Sequence, residues 1–130
     1  MDPRVARRSL RDVARANRLF GGTRTALSEL DGVLRGHAGR HLTLLDVGTG
    51  AGDIPGRARH LARRYGVRLL TLGVDASEPL ARAANSPELP MARADALRLP
   101  LRDRSVDIAL CSQLLHHFER ERCIMLLQEL

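Results

Sequence analysis

Apolar residues along the chain fall into two rhythms that alternate from about residue 40 onward. Leu42 to Val47 is apolar on both faces, the pattern of a strand buried within a parallel sheet. Arg68 to Asp75 (RLLTLGVD) predicts a second strand, Met91 to Ala94 a short third and Val106 to Cys111 (VDIALC) a fourth. Helical spacing fills the gaps. Ala58, Leu61, Ala62 and Tyr65 predict a sheet-facing side of a helix from about Ile54 to Tyr65, with Arg57, Arg59, Arg63 and Arg64 toward water and Gly66 as its stop. Ser77 as N-cap with Pro79 in the first turn opens a helix that runs to about Ala84, before Asn85-Ser86-Pro87 breaks it. Glu119 to Leu130 predicts a helix whose apolar face is Cys123, Ile124, Leu127 and Leu130.

Two helices precede the first strand. Asp2-Pro3 reads as a helix start. Arg4, Arg8, Arg11, Arg15 and Arg18 then share one face, with Leu10, Val13, Asn17 and Phe20 on the other, up to Gly21-Gly22. A second helix is expected from Thr25 to Leu34, with Leu27, Leu30 and Leu34 at helical spacing, followed by the linker Gly36 to Gly39. This divides the chain into a helical cap, 1–40, and an α/β ligand-binding part, 41–130.

The junction after the first strand carries the chemistry. Leu44 to Pro55 reads LLDVGTGAGDIP, a strand end, a glycine turn and a helix start in one stretch. Gly48 and Gly50 allow a tight turn and the close approach of a ligand. The helix start presents unpaired N–H groups. A P-loop is excluded, since its lysine is missing and the chain contains none. The dinucleotide pattern GxGxxG would need glycine where Asp53 stands. What is present is D-x-G-x-G-x-G from Asp46 to Gly52. A carboxylate at Asp46 is awkward beside a pyrophosphate and suits a cationic ligand group. At the end of the neighbouring strand, Asp75 occupies the place where doubly wound folds put an acid on ribose hydroxyls, or it caps the following turn. Asp95 ends the third strand, either as part of the same rim or as a loop acid pairing with Arg93 or Arg98.

The segment Asp46 to Gly52 resembles motif I of the class I S-adenosylmethionine-dependent methyltransferases. LPLRDRSVDIALCSQLLHHF is similar to the corresponding stretch of the ubiquinone- and menaquinone-type small-molecule enzymes. The resemblance covers about Thr43 to Phe118. It implies a Rossmann-like, doubly wound parallel sheet with strand order 3-2-1-4, and S-adenosylmethionine as cofactor. It assigns the methionine part to Asp46, Gly48, Thr49, Gly50 and Gly52, the ribose to Asp75 with Ala76 beside it, and the adenine to Asp95 and Ala96. Residues just after the fourth strand, beginning with Ser112, line the methyl-transfer point. The implied reaction is methyl transfer to oxygen or carbon of a small molecule. The segment is not of the N-P-P-Y or D-P-P-Y type, which argues against nucleic-acid bases and glutamine as acceptors. No catalytic constellation stands out. His116 or His117 is the candidate general base, weighed against a loop-to-helix junction in which one histidine packs and one is solvated. Adjacent histidines point apart, so a metal site from His116, His117 and Glu119 is not expected.

Composition narrows the alternatives. The chain has 130 residues, and all 21 of its basic residues are arginine, giving a formal net charge of +6. Such a balance raises the question of nucleic acid, but one tyrosine, two phenylalanines and no tryptophan provide no stacking platform. Solvated helix faces account for the arginines. Cys111 and Cys123 read as buried thiols of a reducing compartment, hence a cytoplasmic location, and no apolar run approaches membrane-spanning length. A nicotinamide-dependent oxidoreductase, an RNA methyltransferase and a non-catalytic adenosylmethionine-binding module remain as alternatives. The last apolar face breaks off without a cap and only four strands are counted, so the sequence reads as the cofactor-binding half of a longer domain. It says nothing of the oligomeric state.

Overall fold

A computed structural model describes residues 22–112 and 114–130, with the side chain of His116 outside that description. The arginine-faced helix expected before Gly21 lies outside the described residues. In chain order the elements are α1 (Gly22–Arg35), β1 (His41–Val47), α2 (Asp53–Arg64), β2 (Arg68–Asp75), α3 (Glu78–Ala84), β3 (Met91–Arg93), β4 (Ile108–Leu110), a 3-10 turn (Leu115–His117) and α4 (Arg120–Glu129). The sheet is ordered β3-β2-β1-β4, and every pairing is parallel. That is the expected order. β4 is shorter than the apolar run suggests and pairs only over Leu44 to Asp46 of β1.

Alternation along β1 sends successive side chains to opposite faces and so builds two cores. Leu42 and Leu44 join Leu69 on one face, where Ile54, Ala58 and Ala62 of α2 and Ala26, Leu30 and Leu34 of α1 cover them. Helix α1 therefore buries its apolar stripe in the same core as the sheet. Leu45 and Val47 join Val74 on the other face, under Leu126 of α4. This second face is thinly covered: Leu70 is 69% exposed and Leu101 is exposed too.

Three expectations need correction. Arg59 does not face water: its guanidinium donates to the Thr71 hydroxyl and to the Glu88 carbonyl, each at 2.6 Å, and ties α2 to β2 and to the segment before β3. In α4 the inward residue is Leu126, while Ile124, Leu127 and Leu130 are exposed. Leu126 is the one residue of this helix buried in the cluster with Leu45 and Val47, beside Leu99, Val106, Leu114 and Phe118. The two cysteines are half-buried free thiols rather than fully buried ones.

Candidate functional site

The glycine turn between β1 and α2 is built as the sequence requires. Gly48, Gly50 and Gly52 have φ of 73°, 54° and 73°, the left-handed region that costs other residues strain. Gly52 is also the N-cap of α2, and a Cβ there would collide with Leu89. The turn is anchored by its own backbone, since Gly48 N–H and Thr49 N–H both donate to the Val74 carbonyl of β2.

Beneath the turn lies a concentration of negative charge. Asp46 is 2% exposed, and one of its oxygens accepts a 2.5 Å hydrogen bond from the Thr49 hydroxyl. Burial drives its pKa from 3.8 up to about 7, and the charges of Asp53 and Asp75 push in the same direction, against the Thr49 bond. Asp53, in the first turn of α2, accepts from the Thr23 hydroxyl at 3.3 Å through Oδ2. Its Oδ1 is buried and has no hydrogen-bond partner among the described residues. Buried carboxylates with unfilled acceptor capacity are costly unless a cation or donor meets them. Gly73 makes this packing possible. It is the register partner of Asp46 on β2, and a Cβ there would sit 2.8 Å from the Thr49 methyl and collide with Met91.

Above the strand ends opens a cleft of about 540 Å³. Its walls include Gly48, Asp75, Ala76, Asp95 and Ala96 from the sequence-derived set. Asp46, Thr49, Gly50, Gly52 and Ser112 do not line it; the first four lie under or along the turn, and Ser112 is half-buried after β4. Asp75 is held firmly: Oδ2 accepts from Gly50 N–H at 3.1 Å and Oδ1 from Ser77 N–H at 2.9 Å. It thus braces the glycine turn and caps the next one, while still facing the cleft. Asp95 accepts from Leu97 N–H at 2.9 Å and has no ion pair with Arg93 or Arg98; Arg93 instead reaches Glu78 at 3.4 Å.

The opposite wall was not singled out by sequence reasoning. Leu114, Phe118 and Arg122 line the cleft, with the Arg122 guanidinium 4.9 Å from the Phe118 ring centroid. Leu114 packs against the turn, 3.2 Å from where a Cβ of Gly48 would be. The signal was available in their four-residue spacing, which runs from the loop into α4. His117 is exposed and does not line the cleft, and the side chain of His116 lies outside the described residues. No group of three or more histidine, cysteine or acidic residues among the described residues could hold a metal ion.

A parallel α/β sheet with a glycine turn and acids at successive strand ends defines a nucleoside-binding fold of the doubly wound type. Residues 45–129 match a family model described as a methyltransferase domain, and the chain belongs to that family. No match is found among curated proteins. Among solved structures, a Methanococcus maripaludis protein assigned as an S-adenosylmethionine-dependent methyltransferase superimposes with a TM-score of 0.66 at 14% identity, over 98% of this chain and 57% of that one. A SAM-dependent methyltransferase from Aquifex aeolicus gives 0.62 at 18% identity, over 99% and 66%. Magnesium protoporphyrin IX methyltransferase from Synechocystis, solved with SAM bound, gives 0.61 at 21%, over 85% and 53%. At these identities the likeness is one of fold. The chain spans between half and two thirds of the length of these three proteins.

Proposed function

We propose that this chain binds S-adenosylmethionine and serves methyl transfer to a small-molecule acceptor, at oxygen or carbon, in the manner of the ubiquinone- and menaquinone-type enzymes it resembles. The carrying observation is the buried Asp46 carboxylate under the glycine turn, with Asp53 and Asp75 close enough to raise its pKa. Three acids at this point would repel a pyrophosphate and attract an ammonium or sulfonium. This favours adenosylmethionine over a nicotinamide dinucleotide. Asp46 and the turn from Gly48 to Gly52 would hold the methionine end. Asp75 would accept from the ribose hydroxyls with its remaining lone pairs, beside Ala76. Asp95 and Ala96 would meet the adenine, and Ser112 with Leu114 and Phe118 would close the opposite side.

The cofactor supplies a methyl group made electrophilic by a sulfonium. This chain's part is to position it, exclude water around it and leave one face open to the acceptor. The exposed His117 does not line the cleft, and His116 and His117 remain weak candidates for a general base. We further propose that the protein works in the cytoplasm. Calorimetric titration with S-adenosylmethionine, S-adenosylhomocysteine and NAD tests the reading. Binding of the first two without NAD supports it, whereas binding of NAD alone overturns it.

A further inference from the structure

On the far side of α2 from the glycine turn's cleft, α1 and α2 border an open groove of about 610 Å³. Leu27 and Leu61 form its half-buried floor, and Arg24, Arg57, His60 and Arg64 stand exposed around its rim. Arg24, Arg57 and Arg64 make no salt bridge with any acid among the described residues. The one acid in the lining, Asp31, is already engaged. It accepts from the Tyr65 hydroxyl and from Arg35, which hold its pKa below the usual carboxylate range, with a smaller contribution from the nearby charge of Arg64.

Gly56 is the telling residue. It sits in α2, on the same wall of the groove as Arg57 and His60, and a Cβ there would meet nothing within 4 Å among the described residues. Glycine inside a helix is less favourable than alanine, because it loses more backbone freedom on folding. Neither its backbone angle nor any close neighbour requires it. The space beside it is open to the groove.

We propose that this groove docks an acidic amphipathic helix of a partner protein, with an apolar side chain seated over Gly56 between Leu27 and Leu61 and carboxylates meeting Arg24, Arg57 and Arg64. Helix-in-groove recognition uses such a combination of apolar anchors and a charged rim. Nucleic acid would match the charge and would find one ring, His60, to stack on, but it would leave the apolar floor of Leu27 and Leu61 uncovered. The proposal is independent of what the cleft binds.

The test uses a fluorescein-labelled peptide of glutamate and alanine with leucines at helical spacing, beside a peptide of the same composition with the leucines scattered. Fluorescence anisotropy on the full chain should show the patterned peptide binding at least about tenfold tighter than the scattered one. Gly56→Leu should raise the melting temperature yet weaken the patterned peptide about tenfold, because it strengthens the helix while filling the seat. The double variant Arg57→Gln/Arg64→Gln should weaken both peptides. Equal binding of the two peptides, no binding, or an unchanged affinity for Gly56→Leu overturns the proposal. So does tighter binding of a uridine oligonucleotide, which would make the groove a nucleic-acid surface, or dimerisation abolished by Gly56→Leu, which would assign it to a second copy.

Discussion

Two carboxylates of the site carry different consequences. Asp46 has a folded-state pKa of about 7 against 3.8 for the free side chain. A raised carboxyl pKa means that the folded protein holds a proton the unfolded chain has released, so stability falls as pH rises from about 4 to 7. For this residue, 2% exposed, the span is on the order of 4 kcal/mol. Asp46→Asn should therefore be more stable than the parent at pH 8 and little different at pH 4, as thermal melts would show; parallel pH profiles would sink the assignment. If a cationic ligand binds here, it binds the ionised form. Its affinity should then weaken as pH drops below 7 and its binding should release a proton, measurable by calorimetry in two buffers of different ionisation enthalpy. Asp75 both braces Gly50 and faces the cleft. Asp75→Ala should weaken adenosylmethionine by about 1–3 kcal/mol through the lost ribose contact. Asp75→Asn, which keeps one acceptor oxygen for the Gly50 or Ser77 N–H, should lose less. Unchanged affinity in Asp75→Ala, with circular dichroism intact, would remove Asp75 from the site.

At the scale of elements, the strands and the glycine turn were legible because their determinants are local. Unbroken apolar runs marked β1 and β2, and positive φ at Gly48, Gly50 and Gly52 follows from a turn too tight for other residues. What the sequence left hidden depends on contacts between elements. Arg59 looked like one more solvated arginine until β2 placed Thr71 beneath it. Leu126 rather than Leu127 faces inward because of where α4 lies on the second face, which no helical period fixes. The role of Gly73 rests on its register opposite Asp46, and the cleft wall of Phe118 and Arg122 on the path of the loop after β4. Gly52→Ala tests the local kind of determinant. Its left-handed φ and the collision with Leu89 predict a loss of at least about 1 kcal/mol in denaturant melts. Adding Leu89→Ala should not restore it fully, since the backbone strain remains.

The whole molecule shows an imbalance between its two faces. One is closed by α1 and α2 over a continuous core, whereas among the described residues the other is covered by α4 and loop residues between Ala94 and Phe118, with Ile124 48%, Met125 51% and Leu127 62% exposed beside Leu101 and Leu130. Scattered apolar residues on a surface are ordinary, but a contiguous set on one helix is an association surface. Among the described residues β4 pairs with β1 alone, so its outer edge also presents unpaired backbone groups next to that helix. The net charge of +6 opposes association at low salt, and screening should reveal the apolar attraction. Light scattering on this 130-residue chain should therefore show self-association that grows with salt. Met125→Glu/Leu127→Glu should suppress it without lowering the melting temperature by more than a few degrees, because neither side chain is in the core. Association that weakens with salt would instead point to the arginine faces, and a large drop in melting temperature would mean that these two residues are buried in solution against some other part of the protein.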